Sequence, residues 1–588
     1  MYVTPLLVAL LLSLPAFGLG VTVDGRVEYQ KWIGCGSHLN GSAGHTPALR
    51  DLYASNEFRS AYRDAGFNAF RYEMFGELAL VHPTGNRETA VRLDGSVAQN
   101  AALFDMSEPH IAVVGSFGNW LKTNPLPGED ATRVHLHAYT HSPPHWMKAS
   151  NGHSGSFVGY SSCCGGVCLQ QGVSKAFPWL TSWCSDPPTG ESIGGALKQT
   201  ADNRDQFARW LAAYSDANQQ AYGFPFDSIS LQNEASFNSP FKSCSYRHCI
   251  DTGSGACWHY WADTMKAVKD YWGQVGLTIP VMGPGVGSIG RQACYGDGGN
   301  RLWEVMEFWD KAEHHSDPGL LAWIGGVQNN HYSGVGVEGV QLWDMLINGH
   351  QVAPDFNWKG TGPCDSNNPC PCSVPLELID GVGTSKPVYG TEDGSTTHRW
   401  VDAGGAPASN SAITATLRLH NLATFGRLSA HMEWEFTNID SDDQWTGDVL
   451  DHARVSNPLS DDKYVAYKHW CRHIRSGATK IKSTFDATGQ PGYGGANKWD
   501  TFHSVNISAW ANAQDRDLTL VIINMRSSSY PLEIKLQHVD SSGAFDWYLS
   551  TPAARWQVQQ HPSWNPKTKT LSLTVPAYSV STLVDGET

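Results

Sequence analysis

Charge is scarce in this chain, and what there is leans one way. Among 588 residues there are 41 Lys or Arg against 56 Asp or Glu, a formal net charge of −15, and the basic residues form no block. That balance excludes the electrostatic footprint of a nucleic-acid binder or of a protein drawn to anionic membranes. It also leans against a strongly acidic polysaccharide as substrate. Beyond the N-terminus no apolar run reaches the roughly 20 residues that span a bilayer, so the pattern gives no membrane partner. No paired CxxC spacing marks a zinc site, and no segment calls for a cofactor. Low-complexity tracts are absent too, which leaves an ordinary folded protein, long enough for one large core and a smaller module.

What the sequence does have begins at its start. The stretch MYVTPLLVALLLSLPAFGLG carries apolar residues from Leu6 to Leu14 and ends in Gly18-Leu19-Gly20. This is the order of a secretory signal peptide over residues 1–20, though without its usual basic start. Secretion makes the 13 cysteines legible mostly as disulfides, with at least one thiol left over by the odd count. Adjacent Cys163 and Cys164 are expected to bridge elsewhere. Local pairing is expected of Cys244 with Cys249 or Cys257, and among Cys364, Cys370 and Cys372. Asn40-Gly-Ser and Asn506-Ile-Ser are glycosylation sequons. The 23 tryptophans offer flat apolar rings on which sugar faces stack, although tryptophan is equally a core residue.

Over residues 31–476, helix-period and strand-like segments alternate. QFARWLAAY places Phe207, Trp210, Leu211 and Tyr214 at i, i+3, i+4 and i+7, and SISLQNE follows. WADTMKAVKDYW repeats the pattern with Trp261, Met265, Val268 and Trp272; NEFRSAYRDAG does so with Phe58, Tyr62 and Ala65. Eight strand candidates can be counted: WIGCG, FNAFRYEM, VHLHAYT, SISLQNE, LTIPVMGPG, GGVQNNHY, PVYGTEDG and LSAHMEWEF. Eight strands with intervening helices make a (β/α)8 TIM barrel, an α/β fold. From residue 477 the texture changes to short β-rich runs, with Leu532, Ile534 and Leu536 alternating cleanly. This reads as an attached β-sandwich side domain over 477–588. Two inserts rich in Gly, Pro and Cys, at Ser154–Gly195 and Pro354–Pro375, are expected to wall a cleft.

Reacting groups of a (β/α)8 barrel stand at the C-terminal strand ends. Glu234 ends the fourth candidate strand and Glu392 the seventh. Two carboxylates across a barrel mouth suit glycosidic bond cleavage, in which one protonates the departing oxygen and the other attacks carbon or activates water. Asn233 stands beside Glu234, an amide placed to hold a sugar hydroxyl.

SLQNEASF, HSPPHWMK, GTEDG and LTVPAYSVSTLV together resemble glycoside hydrolase family 30, among the retaining barrel enzymes. The resemblance runs in order from about Trp32 to Val584. It implies a barrel beside a β-sandwich whose first strand comes from Val21–Tyr29, so that residues 21–30 join the side domain. It also implies Glu234 as acid/base, Glu392 as nucleophile and Arg71 as the cation beside Glu392. In one place the chain departs from the family: His141 stands where many relatives carry a tryptophan lining the sugar pocket. Substrate specificity therefore does not transfer.

His331 and Tyr332 end the sixth candidate strand, where a donor can orient Glu392; a structural histidine is the alternative. Trp434 on the eighth can floor the sugar pocket. Its neighbours Glu433 and Glu435 should turn away from the mouth by alternation. Glu73 and Asp393 are rivals for the acid roles. His135 and His137 share a strand face as a metal pair would, but lack a third ligand nearby. The expected function is a secreted, retaining glycoside hydrolase on a polysaccharide or oligosaccharide. An endo-acting enzyme on β-1,6-galactan, β-1,6-glucan or xylan fits the loop inserts best. The alternatives are an exo-acting β-glycosidase and a non-catalytic carbohydrate-binding protein on the same scaffold.

Overall fold

A computed structural model describes residues 19–39, 47–76, 91–147, 197–235, 257–285, 308–309, 311–330, 346–347, 385–394, 396–437, 447–485, 501–512 and 517–586. After an opening strand, β1 (Leu19–Lys31), the chain enters a parallel sheet of eight. Its strands are β2 (Gly34–His38), β3 (Ala69–Met74), β4 (His135–Thr140), β5 (Ser228–Ser230), β6 (Val281–Met282), β7 (Val327–Asn330), β8 (Val388–Glu392) and β9 (Leu428–Glu433). Each lies within one of the eight stretches picked out from sequence. They bond in the order β6-β5-β4-β3-β2-β9-β8-β7. A parallel bridge between Met282 and Gly326 joins the two outer strands, so the sheet closes into a barrel.

Alternation sorts the strand residues. Phe70, Tyr72, Leu136, Ala138 and Ile229 pack outward into the main core with the helices, whereas Ala69, Met282, Tyr389, Ala430 and Met432 form a small apolar plug inside the barrel. Helix Ala201–Tyr222 is capped by the Thr200 side chain, which accepts from the Asn203 N–H, and it ends at Gly223 with φ +80. Phe207, Trp210, Leu211 and Tyr214 are fully buried there, as are Trp261, Met265 and Val268 of helix Cys257–Val275. Between β6 and β7 the described residues include the short helix Leu320–Trp323.

Inside the barrel, His135 Nε2 and His137 Nδ1 lie 3.0 and 2.8 Å from the same Ser228 hydroxyl. Burial pushes His135 down to about 4 and His137 well below its ordinary value. Both are therefore neutral side chains gathered on one serine.

The second sheet has ten strands: β1 with β10 (Thr479–Phe485), β11 (Val505–Asn512), β12 (Asp517–Asn524), β13 (Tyr530–Gln537), β14 (Phe545–Thr551), β15 (Ala554–Gln559), β16 (Ser563–Asn565), β17 (Thr570–Val575) and β18 (Ser579–Asp585). Their order is β15-β14-β18-β12-β11-β10-β1-β13-β17-β16. β1 runs antiparallel to β10 and parallel to β13, with Val21 opposite Phe485 and Ile534. The expected β-sandwich is built from one continuous sheet. It curls, because Phe545 near one end and Leu571, Leu573 and Val575 near the other share a single core. β12 is apolar without alternation for a physical reason: Leu518, Leu520 and Ile522 face that core, while Val521 and Ile523 pack into the barrel's. β13 has only one buried face and keeps the alternation.

Two features bind the sheet to the barrel. Trp32, Trp470 and Trp510 meet edge to face, with centroids 5.4 to 6.2 Å apart. A disulfide joins Cys35 on β2 to Cys471, the last residue of helix Asp462–Cys471, across 436 residues of sequence. Sequence reading had not paired these two. Of the other cysteine clusters, Cys257 opens helix Cys257–Val275, while its candidate partners, the remaining clusters, both inserts and Asn40 lie outside the described residues. Asn506 does not: it is buried in β11, where its amide donates to the Thr501 carbonyl at 2.7 Å, so the folded chain presents no glycan acceptor there. No described helix is long and apolar enough to cross a membrane.

The Cys35–Cys471 bridge closes a very long loop, so removing it frees much chain entropy in the unfolded state. Changing both residues to alanine should lower unfolding free energy by about 2–4 kcal/mol. Denaturant melts read this directly; an unchanged midpoint at unchanged slope speaks against the bridge.

Candidate active site

Arg71 lies inside the barrel on β3, 2% exposed, with its guanidinium carbon 3.9 Å from the centroid of the Tyr139 ring. Its Nη1 donates to Glu392 Oε2 at 2.6 Å, and its Nη2 donates to Asn233 Oδ1 at 2.5 Å. One cation therefore ties the seventh barrel strand to the segment after the fourth. Glu392 is the last residue of β8, as the sequence implied. Glu234 is not at a strand end: β5 stops at Ser230, and Glu234 lies four residues beyond, at φ +45. That left-handed backbone costs about 1–2 kcal/mol in a non-glycine residue. It is held by flanking bonds, Asn233 N–H to the Thr140 carbonyl at 2.8 Å and Ala235 N–H to the Gly285 carbonyl at 3.0 Å.

Asn330, the last residue of β7, reaches toward both acids. Its Nδ2 donates to Glu234 Oε1 at 3.1 Å, and its Oδ1 accepts from the Thr391 hydroxyl at 3.0 Å, one residue before Glu392. Sequence reasoning missed Asn330. The signal was an amide pair, Asn329-Asn330, ending a barrel strand.

His141 stands against Asn233, its Nε2 3.1 Å from the amide Nδ2. Glu73 Oε1 lies 3.7 Å from His141 Nδ1, and Glu73 Oε2 lies 3.7 Å from His38 Nε2. Burial pushes His38 down to about 4 even with Glu73 beside it. Glu73 is thus engaged between two histidines. Trp434 lies along this cluster, its ring centroid 5.2 Å from His38 and 6.3 Å from His141. His331 and Tyr332 lie outside the described residues.

Glu433 does turn away from the mouth. It meets Lys463 Nζ at 3.0 Å and the Tyr467 hydroxyl at 2.5 Å, and burial pushes it up to about 7 although Lys463 opposes that. For Glu435 the premise fails: β9 ends at Glu433, so strand alternation does not govern Glu435, which is buried. Asp393 pairs with Arg418. Asp393, His431 and Glu433 bring ligand-type atoms within 4.8 Å of one another. Both carboxylates already face a cation, and burial holds His431 neutral at about 3, which accounts for the group as an ion network.

No family model matches the sequence, and no curated protein matches it. Solved structures do match. The catalytic domain of a family 30 xylanase C from Talaromyces cellulolyticus superposes with TM-score 0.59 at 15% identity, covering 97% of this chain and all of that one. A family 30, subfamily 8 xylanase from Clostridium acetobutylicum gives 0.57 at 14%, over 96% and 100%. An endo-β-1,6-glucanase gives 0.51 at 13%, over 97% and 94%. The chain has the fold of family 30 glycoside hydrolases. In that fold, Arg71, Asn233, Glu234 and Glu392 converge at the C-terminal side of the barrel, the side on which barrel enzymes carry their chemistry.

Beside the pocket, Glu435 is paired through its backbone to Asp448, and His398 lies 3.0 Å from Asp448 and 2.8 Å from Asp461. Burial opposes charge on His398, but the two carboxylates prevail and push it up to about 9. A raised folded-state value stabilises fully below the unfolded value of 6.5 and is lost as pH rises through about 9. Stability should therefore fall across that window by roughly 3 kcal/mol. His398→Gln should flatten the fall in melts taken from pH 6 to 10. An equal slope in the variant removes His398 as its source.

Proposed function

We propose that this protein is a secreted glycoside hydrolase that cleaves β-linked glycans with retention of configuration. The observation that carries the proposal is the Arg71 guanidinium bonded at once to Glu392 and to Asn233, beside Glu234. Glu392 is the nucleophile: its Oε2 is the oxygen Arg71 grips, so attack on the anomeric carbon falls to Oε1. Glu234 protonates the departing oxygen, then takes the proton from the water that releases the glycosyl ester. Two displacements return the anomeric centre to its starting configuration. The remaining N–H of the Asn233 amide is the donor for the sugar 2-hydroxyl, and Trp434 is the ring beneath the sugar.

Among substrates, endo-action on β-1,6-galactan, β-1,6-glucan or xylan fits best, in keeping with structural neighbours named as xylanases and an endo-β-1,6-glucanase. Secretion follows from the leader-like start of the sequence. A carbohydrate-binding protein that has lost catalysis would have little reason to retain both acids, the arginine and the amide in bonded array.

A polysaccharide panel with product sizing tests the activity and separates endo from exo action; binding without turnover would mean the non-catalytic alternative. For mechanism, the two carboxyl groups should stand about 5–5.5 Å apart. Glu392→Ala should abolish hydrolysis, and azide should then give a glycosyl azide of opposite configuration. Glu234→Gln should lose most on natural glycans and far less on an aryl glycoside with an acidic phenol, which needs little protonation. An inverted first product from the unmodified enzyme would end the case for Glu392 as nucleophile.

A further inference from the structure

Asn233 is gripped from two sides, and the chemistry of its neighbours fixes each proton along the way. A guanidinium offers only N–H donors, so the Asn233 atom 2.5 Å from Arg71 Nη2 is the carbonyl oxygen Oδ1. The amide nitrogen Nδ2 then faces His141 Nε2 at 3.1 Å. An amide nitrogen only donates, so Nε2 must present its lone pair and the ring proton must sit on Nδ1. Nδ1 is the nitrogen 3.7 Å from Glu73 Oε1, a carboxylate 1% exposed. Donation thus runs outward from Arg71, to Glu392 on one side and through the Asn233 amide to His141 on the other, with the Glu73 carboxylate in charge range of the imidazole beyond.

We infer that His141 is a positioning residue for the glycosidase reaction proposed above, and the inference rests on that reading. With the Nε2 lone pair turned toward Asn233, His141 accepts from the amide and sets its plane next to Glu234. The second N–H of that amide is then aimed at the substrate hydroxyl. A doubly protonated imidazole would set N–H against N–H, turn the amide, and take Oδ1 from Arg71. The groups around the ring are Glu73 from β3, His38 from β2, Tyr139 from β4 with ring centroids 5.5 Å apart, Trp434 after β9, and Arg71 through Asn233.

Steady-state kinetics of His141→Ala, His141→Gln and Glu73→Gln, on a glycan that the wild type turns over, test this. Wild-type turnover itself tests the glycosidase reading, so the two can fail separately. His141→Ala should lower kcat by about tenfold to a hundredfold, the scale of a misplaced positioning group, with KM changed far less. His141→Gln, whose side-chain oxygen can accept the same N–H, should regain at least about tenfold over alanine. A crystal structure of the alanine variant should show the Asn233 amide turned or displaced. If that variant does not fold, His141→Leu, which fills the space without an acceptor, takes its place. A kcat for the acceptor-less variant within about twofold of wild type, or a glutamine variant no better than it, would overturn the inference.

Discussion

The structure turns on one buried cation. Arg71 has almost no contact with water, and an isolated charge in such surroundings carries a desolvation penalty of several kcal/mol. Three things offset it here: the Glu392 carboxylate, the Asn233 carbonyl and the face of Tyr139. They come from different strands or strand ends, so the guanidinium is satisfied only when β3, β4, β5 and β8 are all in register. The fork geometry matters, because a guanidinium can bond two acceptors in one plane and an ammonium cannot. Stability and chemistry therefore depend on the same bonds. A barrel that slipped by one residue would lose the nucleophile's partner and the cation's together.

This dependence explains the polar interior beneath the site. Below Arg71, His135, His137 and Ser228 form a hydrogen-bonded layer, and Gln328 donates to Ser230 beside it. Against it pack the apolar residues Met282, Tyr389, Ala430 and Met432, with Met282 paired to Ser230 and the Tyr389 ring edge-on to both histidines. Burial holds both histidines uncharged, so neither adds a second positive charge beneath Arg71. In sequence, HLH in a strand looks like metal-binding chemistry. In the fold, its two rings share one serine hydroxyl.

Much of this was legible before any coordinates. Period-2 and period-3.6 patterns located all eight barrel strands and the long helices, because each buries one defined face. Glu392 was placed correctly, since β8 runs straight to it. Glu234 was not: the SISLQNE run looks like one strand through its acid, yet pairing stops at Ser230 and the chain turns left-handed. No local signal announces a positive φ at glutamate; the flanking bonds to Thr140 and Gly285 impose it. The premise for Glu435 failed for a related reason, since alternation was carried past the end of its strand. The pairing of Cys35 with Cys471 was hidden by its span, because local spacing says nothing about cysteines brought together by barrel closure. The β-rich tail gave its strands but not their closure into one sheet, because the curl depends on which strands pair across long stretches of chain.

The curled sheet, finally, is more than an appendage to the barrel. The chain reaches β2 only after running through β1 at the middle of the ten-stranded sheet. At the junction, the Trp32 N–H donates to the Ala478 carbonyl, and the Trp32 carbonyl accepts from the Gly477 N–H, both at 2.7 Å. Entry to the first barrel strand and exit from the last helix are thus stitched to each other. Trp470 and Trp510 pack around the stitch, and Cys35–Cys471 lies just beyond it. β2 carries His38 to the Glu73 cluster and pairs with both β3 and β9, so it is the strand whose placement closes the ring around Arg71. A barrel without the sheet would leave β2 fixed on its two ladders alone, with the apolar faces of Trp32 and Trp470 uncovered. Burying an aromatic ring of that size is worth on the order of 2–3 kcal/mol. The sheet therefore contributes to the register on which the buried ion pair, and with it the site, depends.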